Sequence, residues 1–68
     1  MNYKALKERI KTKYGTIENF AKENKQTTKY VEKVLSGEIN PEITTLYKWI
    51  DTLHISVNNI PAYFFMPA

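Results

Sequence analysis

The chemistry open to this chain is that of amines and hydroxyls, with no evident nucleophile or metal set. Residues 1–37 carry nine Lys/Arg against four Glu, a balance of +5, whereas residues 38–68 carry one Lys against three acids, a balance of −2. A basic half on a small chain is the electrostatic footprint of a polyanionic partner, most often nucleic acid. It is equally the ordinary solubilising charge of exposed helix faces. His54 is the only histidine and there is no cysteine to complete a metal set, so His54 reads as a helix-end residue favoured by the dipole. Glu18, Glu23 and Glu32 stand among lysines, where i to i+4 pairs such as Glu18 with Lys22 account for them. Only Gly15 and Gly37 exist, too few for a phosphate-cradling loop. These residue types predict neither an enzyme nor a bound cofactor.

The elements that must position these groups are helical throughout. Tyr3, Leu6, Ile10 and Tyr14 recur every three to four residues and predict an amphipathic helix started by Asn2 and closed at Gly15. Thr16 is placed to cap a second helix from Ile17 to about Asn24, with Glu18 at the positive end of its dipole and Phe20 and Ala21 facing inward. Thr27 caps a third, whose inward stripe Tyr30, Val31, Val34 and Leu35 stops at Ser36-Gly37. The fourth is expected to open with Asn40 as cap and Pro41 at its first position. Its broad stripe of Ile43, Leu46, Tyr47 or Trp49, Ile50 and Leu53 marks a central buried element ending near His54. The tail 55–68 is apolar beyond its length, and Pro61 restricts it to a short helical piece capped by Ser56 or Asn59.

The expected architecture is therefore an all-α bundle of about five short helices forming one domain over residues 1–68. A chain of 68 residues buries a modest core, so tight packing or a partner chain must reinforce it. No stretch approaches the ~20 apolar residues of a membrane span, and the N-terminus lacks a signal-peptide run, which points to a cytoplasmic protein.

The stretch Thr16-Ile17-Glu18-Asn19-Phe20-Ala21 through Ser36-Gly37, followed by Asn40-Pro41 and Thr45-Leu46, has a pattern of its own. With Thr27 between its halves, it resembles the Cro and CI repressor type of helix-turn-helix over roughly residues 3–58. That family includes phage repressors and many bacterial regulators. The resemblance implies a lambda-repressor-like fold whose third helix enters the major groove of an operator while the second crosses the phosphates. On that alignment Thr27, Thr28, Lys29 and Lys33 face the bases, and Lys22, Lys25 and Asn40 lie near phosphates. The implied partner is double-stranded operator DNA in a bacterial host cell, read by a homodimer if the site is a palindrome.

Several positions depart from the family pattern. The usual turn has a glycine between two apolar residues, and Asn24-Lys25-Gln26 stands there instead, so Asn or Lys must take a left-handed backbone. Ile17 replaces a glutamine that contacts DNA. Ile10 and Leu35 occupy the places of a buried ion pair, an exchange that need not cost stability. Glu38 stands where a basic residue is common. These differences support a second reading, an anti-repressor that keeps the fold and binds a CI-type repressor, with an exposed Ile17 and Tyr30 as contacts. The aromatic run Tyr63-Phe64-Phe65-Met66 either folds back over helices one and four to complete the core or forms a dimer or partner interface.

Overall fold

The structure is a computed structural model that describes residues 1–65; Met66, the end of the run Tyr63-Phe64-Phe65-Met66, lies outside them. Within that span the chain is an all-α bundle of five helices, α1 (Tyr3–Tyr14), α2 (Ile17–Glu23), α3 (Thr28–Leu35), α4 (Ile43–Thr52) and α5 (Ile60–Phe64). A 3-10 turn, Val57–Asn59, leads into α5. Among the described residues no helix is long and apolar enough to cross a membrane.

Three of the helices start where a short polar side chain can satisfy an otherwise unpaired N–H. Asn2 Oδ1 accepts from the Ala5 N–H at 3.0 Å, Thr16 Oγ1 from Asn19 at 3.1 Å, and Thr27 Oγ1 from Tyr30 at 3.1 Å. Gly15, at φ 80°, ends α1 while its N–H still reaches the Lys11 carbonyl at 2.9 Å. Gly37, at φ 86°, does the same service after α3.

The fourth helix begins two residues later than the Asn40-Pro41 pair predicts. The N–H groups of Glu38 and Ile39 both donate to the Lys33 carbonyl, at 3.0 and 3.3 Å, so the chain up to Ile39 is still closing the end of α3. Residues 40–42 then join that end to α4. The Glu42 carbonyl accepts the first bonds of α4, from Thr45 and Leu46, and no side chain caps the helix. At the other end α4 stops at Thr52, and His54 turns out of it at φ 54°. Arg9 closes that end from α1, donating through Nε to the Leu53 carbonyl and through a terminal nitrogen to that of His54, each at 3.0 Å.

Leu6, Ile10, Phe20, Ala21, Val31, Val34, Leu35, Trp49, Leu53, Ile55 and Phe64 form one core. Ile10 and Leu35, 0 and 2 % exposed, are part of it. Its centre is aromatic: Phe20 meets Tyr14 and Trp49 edge-on, with ring centroids 5.5 and 5.2 Å apart. Only part of the broad stripe on α4 turns inward. Trp49 and Leu53 are fully buried and Leu46 and Ile50 half-buried, but Ile43 and Tyr47 are each 62 % exposed. A helix can aim only one face at a core built by α1–α3, and a stripe spanning both Trp49 and Tyr47 is wider than that face.

The tail does fold back, through Phe64, which is buried, and through the Asn2 N–H, which donates to the Tyr63 carbonyl at 2.9 Å. Neither Ser56 nor Asn59 caps it by side chain; the Ser56 carbonyl accepts from Asn59 and Ile60 instead. Phe65 remains 75 % exposed.

Candidate nucleic-acid interface

The residues singled out in the sequence lie on α2, on α3 and in the loop after it. Val31, Val34 and Leu35 anchor α3 in the core and leave its other side outward. Thr27 and Lys29 are exposed at the start of that outward side, and Thr28 is half-buried beside them. Lys33, one helical turn beyond Lys29, is half-buried. Lys22 and Lys25, at the end of α2 and in the turn, are exposed, as is Asn40 in the following loop.

The turn between α2 and α3 is held by bonds that its composition did not reveal. Lys25 takes the left-handed backbone, at φ 56°, and its N–H still donates to the Lys22 carbonyl at 3.1 Å. Asn24 is fully buried. Its Nδ2 donates to the Phe20 carbonyl at 2.9 Å, and its Oδ1 accepts from the Thr52 hydroxyl at 3.0 Å. That hydroxyl also lies 2.6 Å from the Lys48 carbonyl, so its one proton is shared between two acceptors. Gln26 Oε1 accepts from the indole N–H of Trp49 at 3.0 Å. Two side chains of the turn are thus tied by hydrogen bonds to α4, a helix distant in sequence.

A shallow depression of about 450 Å³ runs between α3 and the start of α4, lined by Gln26, Thr27, Tyr30, Ile39, Asn40, Glu42 and Thr45. It brings Thr27, Tyr30 and Asn40 onto one surface. Lys29 and Lys33 adjoin it in a second hollow with Thr27, Tyr30 and Ile39. On the other side of the turn, Lys25 and Lys48 share a hollow with Gln26, Thr44 and Thr45. Lys48, Thr44 and Thr45 are not among the site residues the sequence singles out; Thr45 enters there only as part of the Thr45-Leu46 pattern, and Lys48 is marked only as the single basic residue after position 37.

The surface is cationic around the turn and mixed elsewhere. Lys22, Lys25, Lys29 and Lys48 are exposed near it together with one acid, Glu23 at the end of α2, while Glu32, Glu38 and Glu42 are exposed beyond the middle of α3 and in the loop. Ile17 is not the exposed contact expected of it: it is half-buried and packs against the core, because the first turn of α2 sits against the end of α1. Asn19 fixes that join, donating through Nδ2 to the Tyr14 carbonyl at 3.0 Å. Tyr30 is also half-buried against the core and lines the depression. Among the described residues no group of three or more His, Cys, Asp or Glu is arranged to hold a metal ion.

No curated protein and no solved structure matches the chain. A family model matches residues 1–67, and the chain therefore belongs to the family described as Protein of unknown function (DUF739).

Proposed function

We propose that this chain is a non-enzymatic transcriptional regulator of a phage-type genetic switch, working in the cytoplasm of a bacterial host by binding operator DNA through α3. The observation that carries the reading is the exposed start of α3. Thr27 and Lys29 face outward there, Lys22 and Lys25 stand at the turn before it, and Lys48 joins them from α4. Short hydroxyls and amines suit base edges in a major groove, and lysines set around them suit phosphates. Lys29 and Lys33 are the assigned donors to guanine O6 or N7, and Thr28 the contact to a base acceptor or a thymine methyl. Lys22, Lys25 and Asn40 contact the backbone.

The test is fluorescence anisotropy of the full chain against duplexes from its own upstream region and an unrelated duplex, at two salt concentrations. Selective binding that weakens with salt is expected. Lys29→Ala should cost ~1–3 kcal/mol and relax selectivity, while Lys25→Ala should weaken all duplexes alike and lower the salt slope by about 1. Equal, weak binding to both duplexes sinks this reading.

One observation favours the second reading, an anti-repressor of a CI-type repressor. Glu38 and Glu42 lie on the loop side of α3, and Glu42 shares the depression with Tyr30 and Ile39. Acidic and apolar groups together suit a basic protein surface better than a phosphate backbone. Tyr30→Ala would then abolish a complex with a co-encoded repressor, whereas Ile17→Glu would act mainly on folding. A complex that survives Tyr30→Ala removes this surface from consideration.

A further inference from the structure

Most of the positive charge in the first half of the chain stands where the operator reading makes no use of it. Of the +5 carried by residues 1–37, +4 belongs to α1, which holds Lys4, Lys7, Arg9, Lys11 and Lys13 against Glu8 alone. Residues 16–37, which include α2 and α3, contribute only +1, four lysines against three glutamates. Arg9 is already committed to the carbonyls of Leu53 and His54, and the other four bases of α1 are exposed. Lys4, Lys7 and Lys11, three and four residues apart, share one outward face about 10 Å long, with Glu8 at its edge. Lys13, two residues past Lys11, is turned about 200° away from it. We propose that the Lys4-Lys7-Lys11 face of α1 binds the phosphate backbone of double-stranded DNA irrespective of sequence, as a surface separate from α3.

Helix stability does not account for this face. Lys4 stands in the first turn, where the positive end of the dipole disfavours a cation, and no acid occupies that turn. Lys4 and Lys7, and Lys7 and Lys11, are like-charge neighbours at helical spacing, which repel; Glu8, four residues after Lys4, offsets only part of this. A polyanion relieves both effects, and three features select a duplex as that polyanion. The apolar side of α1, with Leu6 and Ile10, is taken up by the core, so none is left to enter an anionic lipid surface. Among the described residues the large exposed apolar side chains are Ile43, Tyr47, Val57 and Phe65, so α1 offers no anchor of the kind on which protein interfaces depend. A duplex carries one phosphate per ~3.4 Å of each strand, so a face ~10 Å long meets about three, one for each lysine.

This surface goes beyond the operator reading and does not rest on it. Three amines against phosphates carry no base information, so the α1 face holds any duplex equally, whereas selectivity belongs to α3.

Fluorescence anisotropy of the full chain with a labelled duplex of unrelated sequence, across a salt series, tests the face. Lys4→Gln, Lys7→Gln and Lys11→Gln together should weaken binding at least ~10-fold at low salt and make the fall of log affinity with log salt shallower by about 3, and each alone by about 1. Lys13→Gln removes the same charge from the same helix but off the face, and should leave that slope unchanged. All four side chains are exposed, so the circular dichroism spectra should match the parent's. Selectivity for the upstream duplex is a separate readout: Lys29→Ala relaxes it, whereas the triple variant keeps it while weakening all duplexes alike, so the two readings can fail independently. A triple variant with the parent's slope, or a loss from Lys13→Gln as large as from a lysine of the face, overturns the proposal. So does polyglutamate that displaces the labelled duplex as readily as unlabelled duplex of equal charge.

Discussion

Replacing Asn24 with alanine removes the two side-chain bonds that this residue contributes to the turn between α2 and α3, one to the Phe20 carbonyl and one from the Thr52 hydroxyl. Neither partner is orphaned. The Phe20 carbonyl keeps the backbone N–H of residue 24 at 3.1 Å, and the Thr52 hydroxyl keeps the Lys48 carbonyl at 2.6 Å. The loss is therefore the net value of two hydrogen bonds, about 2 kcal/mol, without a desolvation penalty for a stranded group. Against the ~3–10 kcal/mol expected for a chain of this length, that is a substantial fraction. Thermal unfolding followed by far-UV circular dichroism should show the midpoint falling by about 8–16 °C. Thr52→Val supplies the contrast, because it leaves Asn24 Oδ1 buried with no donor and should cost about 1–3 kcal/mol by itself. The double variant should cost less than the sum of the two by about 1 kcal/mol, since the stranded acceptor disappears with Asn24. A midpoint shift for Asn24→Ala below about 3 °C, or strictly additive costs, would refute the view that these bonds hold the turn.

Two further outcomes follow from local geometry. Lys25→Gly relieves a left-handed backbone worth about 1–2 kcal/mol but gives back part of that as chain entropy, so the net gain is about 0.5 kcal/mol and a melting point higher by a few degrees. Its DNA affinity should nevertheless fall, and a variant that binds as well as the parent would remove Lys25 from the phosphate contacts. The Tyr14 phenol titrates above its ordinary value, first because burial disfavours the phenolate and then because the Glu23 carboxylate repels it. Its hydroxyl donates to the Thr52 carbonyl at 3.1 Å, a bond available only to the protonated form. A folded pKa above the unfolded one means that this contribution is complete below the ordinary tyrosine range and is lost as pH rises through the folded value. Tyr14→Phe should flatten the alkaline loss of stability followed by circular dichroism, and an alkaline profile unchanged in that variant would contradict this.

Much of the helical layout was legible because its signals are local. Asn2, Thr16 and Thr27 each cap the helix their positions imply, and Gly15 and Gly37 end helices with the positive φ that glycine takes without strain. The apolar period of α1 and α3 identified Leu6, Ile10, Val31, Val34 and Leu35 as core before any contact was known. The start of α4 was misplaced for an equally physical reason: an Asn-Pro pair is a strong local start signal, but the end of α3 had already claimed the backbone through Ile39. The candidate surface was half legible, since the lysines of α2 and α3 stand out by charge, while Lys48 and the threonines of α4 reach it only through packing.

By itself, then, the sequence determined an all-α chain, the capped starts of its first three helices and a basic first half, because capping, periodicity and charge act between residues a few positions apart. Only the tertiary structure decided which face of α4 is buried, that Ile17 packs inward, that Asn24 and Gln26 are held by Thr52 and Trp49, and that an apolar groove remains open beside α5. Those outcomes depend on contacts between different helices, such as the ties from Asn24 to Thr52 and from Gln26 to Trp49. No local period or cap encodes which of two apolar faces will meet the core first.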